Sequence, residues 1–196
     1  MKRLNPFGVA AYLGGRGSFS HQAARKLLPS LDEFAGYSSF NKIFEAVDKG
    51  KASLAVVPIK NSLVGPIEEN IELMKKYELK IFHEDWLKVE LKLLVPYLDE
   101  SGLDLRKLKK IYSHPKALAQ CAKFFQEHPW IEAVAYSDTA RASSHVAKMN
   151  DIRYAAIGSS ECARLNNLSI AQENLEDEEH NYTLFLALQK KSWRKP

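Results

Sequence analysis

Five polar clusters in this sequence carry side chains able to hold an anion, though their spacing names no reaction. "GGRGSFSHQAA" (14–24) is glycine-rich and opens a helix. Ser18 or Ser20 stands where a cap belongs, and the free N–H groups of a helix start favour an anion. The segment lacks the Gly-Lys-Ser/Thr of a nucleotide-binding loop, and a capped turn alone would account for it. "PIKNS" (58–62) sets Lys60, Asn61 and Ser62 directly after an apolar run. "YSHPKALAQ" (112–120) puts Pro115 at a first helical position, with Ser113 and His114 in the cap. Ser113 and Gln120 then share one helix face, about 10 Å apart along the axis. His114 is a base by type, but no Asp or Glu is spaced to orient it, and a cap explains it equally well. "AIGSSE" (156–161) and "HNYT" (180–183) complete the set. A threonine such as Thr183 in a strand is usually a good β-former, so pattern alone does not single it out.

Behind each cluster lies an element that must position it. "VAAYL" (9–13), "ASLAVVPI" (52–59), "KKIYSHP" (109–115), "IEAVAYS" (131–137), "RYAAIGS" (153–159) and "NYTLFLALQ" (181–189) read as strands. "KIFHEDWLKVELKLLVP" (80–96) reads as one extended run. "HQAARKLL", "FNKIFEAVDKG" with Gly50 at its end, "PIEENIELMKKY" with Pro66 in its first turn, "KALAQCAKFFQEHP", "TARASSHVAKM" and "SECARLNNL" read as helices. "QENLEDEEHN" (172–181) reads as an exposed loop. In the last strand Asn181, Thr183 and Phe185 share one face, and Tyr182, Leu184, Leu186 and Leu188 the other. Strand and helix alternate, which predicts an α/β fold with mostly parallel sheets. In such sheets ligands sit beyond the carboxyl ends of strands, where these clusters lie.

The 196 residues suffice for one large domain or two small lobes. With 45% hydrophobic and 27% charged residues, the composition gives no case for disorder. A net charge of +4 spread along the chain, with "KKSWRKP" as a solvated tail, argues against nucleic-acid binding. Cys121 and Cys162 have no metal spacing and read as buried thiols, which suits a reducing compartment. Pro6 and the Gly14-Gly15 pair leave the first apolar run too short for a signal peptide, and no run has the length of a membrane span. A cytoplasmic location, with no membrane partner, is the expectation.

In collinear order the clusters resemble the prephenate dehydratase family. "YLGGRGSFSHQAARKLLP" is similar to its opening LGPxGTFSxxAA pattern, "ASLAVVPIKNSLVGPI" to YGVVPIENSxxGxV, and "SHPKALAQC" to SHPQALxQC. "AAIGSSECARLNNLSI" followed by "NYTLF" resembles AAIASxxAAxxYGLxI followed by NxTRF. The likeness spans essentially the whole chain. It implies two α/β lobes with mixed, mostly parallel sheets, like a type II periplasmic binding protein, with the active site in the cleft between lobes. One lobe would span about residues 1–88 plus 178–196 and the other about 89–177. The implied reaction takes prephenate to phenylpyruvate with loss of CO2 and water, in phenylalanine biosynthesis, with no metal or organic cofactor. Carried over by resemblance, Thr183, Ser113 and Asn61 are catalytic, and Ser18, Lys60, Ser62 and Gln120 bind the small-molecule substrate. A homodimer is a candidate assembly.

Two positions depart from the family pattern. The family has glutamate where Lys60 stands and arginine where Leu184 stands. If those two pair in the family, their joint loss is compensating. If the glutamate is the proton donor, it is missing here, and Lys60 instead offers positive charge to a substrate carboxylate. These changes leave open a prephenate decarboxylase-like activity, or a silent binding or regulatory protein using the same cleft. The family's phenylalanine-sensing ACT domain is expected to be absent, since the sequence ends shortly after the last strand.

Overall fold

The computed structural model describes residues 8–98 and 102–191, in two compact units. The readings made for Met1–Phe7 and for most of the terminal KKSWRKP lie outside the described residues. The first unit holds residues up to Gly14, Phe19–Lys88 and His180 onward. The second holds Gly15–Ser18 and Val89–Glu179.

In the first unit, β1 (Val9–Leu13), α1 (Phe19–Leu27), β2 (Glu33–Tyr37), α2 (Phe40–Asp48) and β3 (Leu54–Asn61) follow one another. The chain turns back as the two-residue β4 (Gly65–Pro66), then forms α3 (Glu68–Lys76) and β5 (Leu79–Lys88). It returns at the end of the sequence as β11 (Tyr182–Lys190). The strand order is β2-β1-β3-β11-β5, with β4 paired to β3. β1 is parallel to β2 and β3, while β11 is antiparallel to β3 and β5. Apolar side chains alternate between two cores, so both sheet faces are covered. Tyr12, Leu54, Val56, Phe185 and Ala187 pack with α1 on one face. Ala11, Ala55, Val57, Leu186 and Leu188 pack with α2 on the other.

In the second unit, β6 (Lys92–Val95) is followed by β7 (Lys110–Ser113), α4 (Pro115–Ala119), α5 (Ala122–Glu127) and β8 (Glu132–Ala135). Then come α6 (Thr139–Met149), β9 (Tyr154–Gly158), α7 (Ser160–Asn166) and β10 (Ser169–Gln172). Strand order is β10-β6-β9-β7-β8. β7 is parallel to β8 and β9, and β6 is antiparallel to β9 and β10. Each unit is thus α/β with a mixed sheet. Its antiparallel part comes from strands that enter from outside the βα alternation.

Four local readings are corrected. The run 80–96 is two strands, β5 and β6, and they belong to different sheets. Pro66 lies in β4, opposite Lys60, rather than in the first turn of α3. β2 is not assigned from the sequence at all, and it is a half-exposed edge strand with Gly36 inside it. The helix predicted over "KALAQCAKFFQEHP" is two short helices that break at Gln120 and Cys121. At the break, Asp177 N–H donates to the Gln120 carbonyl at 2.7 Å, and the Asp177 carboxylate accepts from Ala122 and Lys123 N–H at 2.9 and 3.0 Å. The polar loop before β11 is therefore tied down in part: Leu175 is buried and its N–H donates to the Leu91 carbonyl.

Candidate functional site

The apolar run "AVVPI" empties into polar residues because Pro58 interrupts the ladder. Proline has no N–H to give, and such residues sit at bulges or edges. Here Phe185 opposes Pro58 but Leu184 opposes Lys60, so β3 carries one extra residue at this point. Buried Asn70 donates Nδ2 to the Pro58 carbonyl at 2.8 Å. Strict alternation from Val57 and Ile59 would send Asn61 to the α2 face. The bulge moves it to the other face, opposite Thr183.

Asn61 joins three segments. Its Oδ1 accepts from Leu63 and Val64 N–H at 3.0 and 3.1 Å, which shapes the turn into β4. Gly65 closes that turn at φ +89°, a conformation L side chains rarely adopt. Asn61 Nδ2 donates to Asn181 Oδ1 at 2.8 Å, Thr183 Oγ1 at 3.0 Å and the Tyr182 carbonyl at 3.1 Å. Because the Thr183 oxygen accepts from Asn61, the Thr183 proton points elsewhere. Thr183 is only 8% exposed, so this hydroxyl lies in a largely dry setting.

Ser62 lies beside this pair with a different task. Its Oγ donates to the His180 carbonyl at 2.8 Å and accepts from Tyr182 N–H at 2.9 Å, which clamps the turn onto the entry of β11. Lys60 is exposed and opposes Leu184, so the two share a face that is not the face of Asn61 and Thr183. Leu184 packs against the α2-side core. The two departures from the family pattern are therefore direct cross-strand neighbours.

Ser18, Ser113 and Gln120 belong to the second unit. Ser18 is buried just before α1, and its N–H donates to the Gly15 carbonyl. Gly17 before it has φ +102°, and an added Cβ would meet Cys162 and Leu165 at 3.3–3.5 Å. The Gly17 carbonyl accepts from Ser159 Oγ and Cys162 Sγ, and Ser159 also caps α7. Ser113 is fully buried at the end of β7 and donates its hydroxyl to the Ile157 carbonyl at 2.7 Å. His114 is the N-cap of α4: its Nδ1 accepts from Lys116 N–H at 3.2 Å. Burial, reinforced by the Lys116 charge, lowers its pKa below the usual imidazole value. Gln120 is the C-cap of α4, held through its carbonyl by Asp177. Both cysteines are free and buried, and burial raises the Cys121 pKa to about 12.

Two residues at these positions escaped the sequence reading. Asn181 is fully buried beside Asn61, and Asp177 holds the break at Gln120. A strand-entry asparagine and one acid in an acidic loop look like ordinary surface chemistry. The available signal was the proline inside an apolar strand, which marks a bulge and a change of face.

The prephenate dehydratase family model matches residues 10–193. The prephenate dehydratase of Methanocaldococcus jannaschii is 36% identical over 180 residues, 90% of this chain and 62% of that protein. The solved prephenate dehydratase of Arthrobacter aurescens, in complex with L-Phe, matches at TM-score 0.79 and 25% identity. It covers 96% of this chain and 62% of that one. A solved structure described as a novel type of quorum quenching acylase matches at TM-score 0.78 and 29% identity, over 96% of this chain and 66% of that one. The chain spans between 47% and 62% of the length of the first curated relatives it matches. With the family pattern matched from Ala10 to Trp193, the chain belongs to the prephenate dehydratase family.

Proposed function

We propose that this chain binds prephenate and converts it to phenylpyruvate. The bond from the ring to its carboxylate breaks and releases CO2, and its electron pair enters the ring. The ring C4–O bond breaks, and the hydroxyl leaves as water with one proton that is drawn, overall, from solvent. Aromatisation drives the reaction, but hydroxide is a poor leaving group. What the protein must supply is orientation and a hydrogen bond to the oxygen as charge builds on it.

The observation that carries this reading is the Asn61–Thr183 pair. Asn61 Nδ2 engages the Thr183 oxygen at 3.0 Å, which leaves the hydroxyl hydrogen to a substrate oxygen. Thr183 is the proposed donor to the departing hydroxyl, with Asn61 as the group that sets its direction. Ser113, Ser18 and Gln120 are proposed to act on the two carboxylates, with Ser113 contributing oxygen lone pairs, since its proton goes to Ile157. A decarboxylase that kept the hydroxyl would gain nothing from a donor at Thr183. An acylase would need an activated nucleophile, yet Thr183 is bonded to the Asn61 amide and Ser113 to the Ile157 carbonyl, neither of which takes a proton. We place the reaction in the cytoplasm, where Cys121 and Cys162 stay reduced, with a homodimer as the working assembly. Among the described residues no helix is long and apolar enough to cross a membrane.

The test is turnover of prephenate, read as phenylpyruvate absorbance after alkali. Thr183→Ala should lower kcat by about 100- to 1000-fold, the loss seen when one preorganised donor is removed. Thr183→Ser should keep most of it. Wild-type chain that makes no phenylpyruvate, or Thr183→Ala with unchanged kcat, overturns the reading.

A further inference from the structure

We infer that Asn181 is a positioning residue that acts on Thr183 through Asn61, an inference that rests on the reading of Thr183 given above. The hydrogen-bond chemistry fixes both amides. Asn61 Oδ1 faces two backbone N–H groups, and its Nδ2 faces the Tyr182 carbonyl, which can only accept. Asn61 therefore presents N–H, not oxygen, to Asn181, and Asn181 must answer with Oδ1.

Asn61 Nδ2 has two protons and three acceptors within 3.1 Å. The Asn181 contact, at 2.8 Å, is the shortest of the three. With one proton committed to Asn181, one proton is left for Thr183 Oγ1 and the Tyr182 carbonyl together. Without Asn181, the amide is free to settle on the Tyr182 carbonyl, and the Thr183 hydroxyl can turn. The donor direction is then no longer set in advance.

Asn181 does this at a cost. It is 0% exposed, and its own Nδ2 has no hydrogen-bond partner among the described residues. A buried unpaired donor is destabilising, and an apolar residue of similar size would avoid it. An asparagine kept under that penalty is kept for its oxygen.

The experiment combines kinetics with side-chain NMR. Asn181→Ala should lower kcat on the order of 10- to 100-fold with KM nearly unchanged, as for loss of a group that orients a functional neighbour. In the Thr183→Ala background the same change should cost nothing further, because Asn181 acts through Thr183. In 15N spectra, the Asn61 side-chain amide should exchange slowly in the wild type and fast in Asn181→Ala. Should Asn181→Ala fail to fold, Asn181→Asp keeps an acceptor of the same size, and the Asn61 amide should stay protected. Wild-type kcat in Asn181→Ala, additive losses in the double variant, or an Asn61 amide indifferent to Asn181→Ala or unprotected in Asn181→Asp would each overturn the inference. The NMR readout does not depend on the substrate, so it judges Asn181 even if prephenate is not turned over.

Discussion

Replacing Lys60 by alanine should leave kcat and KM for prephenate within about twofold, because register sets Lys60 on the face away from Asn61 and Thr183. Its side chain is exposed, so stability should move by no more than about 0.5 kcal/mol. The cross-strand partner is the more informative site. Leu184→Arg removes a half-buried leucine from the α2-side core, worth about 1 kcal/mol. It also sets two cations opposite each other, at a further cost of about 0.2–1 kcal/mol. Adding Lys60→Glu turns that repulsion into attraction of similar size. A double-mutant cycle should then give a coupling of about 0.4–2 kcal/mol between positions 60 and 184. Urea unfolding of the four proteins measures it, and the same proteins are assayed for phenylpyruvate. Coupling indistinguishable from zero would show that the side chains do not share a face. A tenfold rise in KM for Lys60→Ala would show that Lys60 reaches the substrate, and the register argument would fail.

Asp177→Ala removes the acceptor for two N–H groups at the start of α5, and should cost about 0.5–2 kcal/mol by thermal unfolding, with a smaller loss for Asp177→Asn. Equal stability of all three proteins would refute its capping role. His114 has a lowered pKa in the folded state, so the unfolded chain takes up its proton first as pH falls. The stability of the neutral cap is full above the ordinary value of about 6.5 and is lost as pH drops from there to the folded-state pKa. His114→Asn, a capping residue that does not titrate, should flatten that part of the stability profile, and an unchanged profile counts against the assignment. Cys121, with its pKa raised to about 12 by burial, and buried Cys162 should resist a thiol-specific dye at pH 8 until the chain is unfolded. Rapid labelling of the native protein would contradict that burial.

What could be read from the sequence was whatever two short-range rules control. Helix periodicity gave α6 to the residue, and the structure adds Asp138 as the cap that opens it. Short apolar runs gave β1 and β9, and alternation gave the two faces of β11. The rules failed where a distant segment decides. A continuous helix over 116–129 satisfies every local preference, and it breaks because Asp177, more than fifty residues on, offers a better partner to Gln120, Ala122 and Lys123. The run 80–96 alternates at Leu87, Val89, Leu91 and Leu93, across the join, yet its halves answer to different sheets. Neither Asp177 nor the second sheet leaves a mark on the local pattern.

The candidate site residues show the same division. Asn61 and Thr183 were found through resemblance, and spacing could not have joined positions 122 apart. The structure adds the reason they meet. Pro58 cannot complete the ladder, the strand takes up one extra residue, and the face of everything after it is exchanged. Lys60, read from sequence as the neighbour of Asn61 and so as part of the same site, is sent to the other side by that exchange. Adjacent positions in a strand face opposite ways, so standing next to Asn61 in sequence is evidence against sharing its surface, not for it. Opposition across the ladder is the stronger criterion. It pairs Asn61 with Thr183, where a hydrogen bond confirms it, and Lys60 with Leu184, where the chain departs from its family on both sides at once.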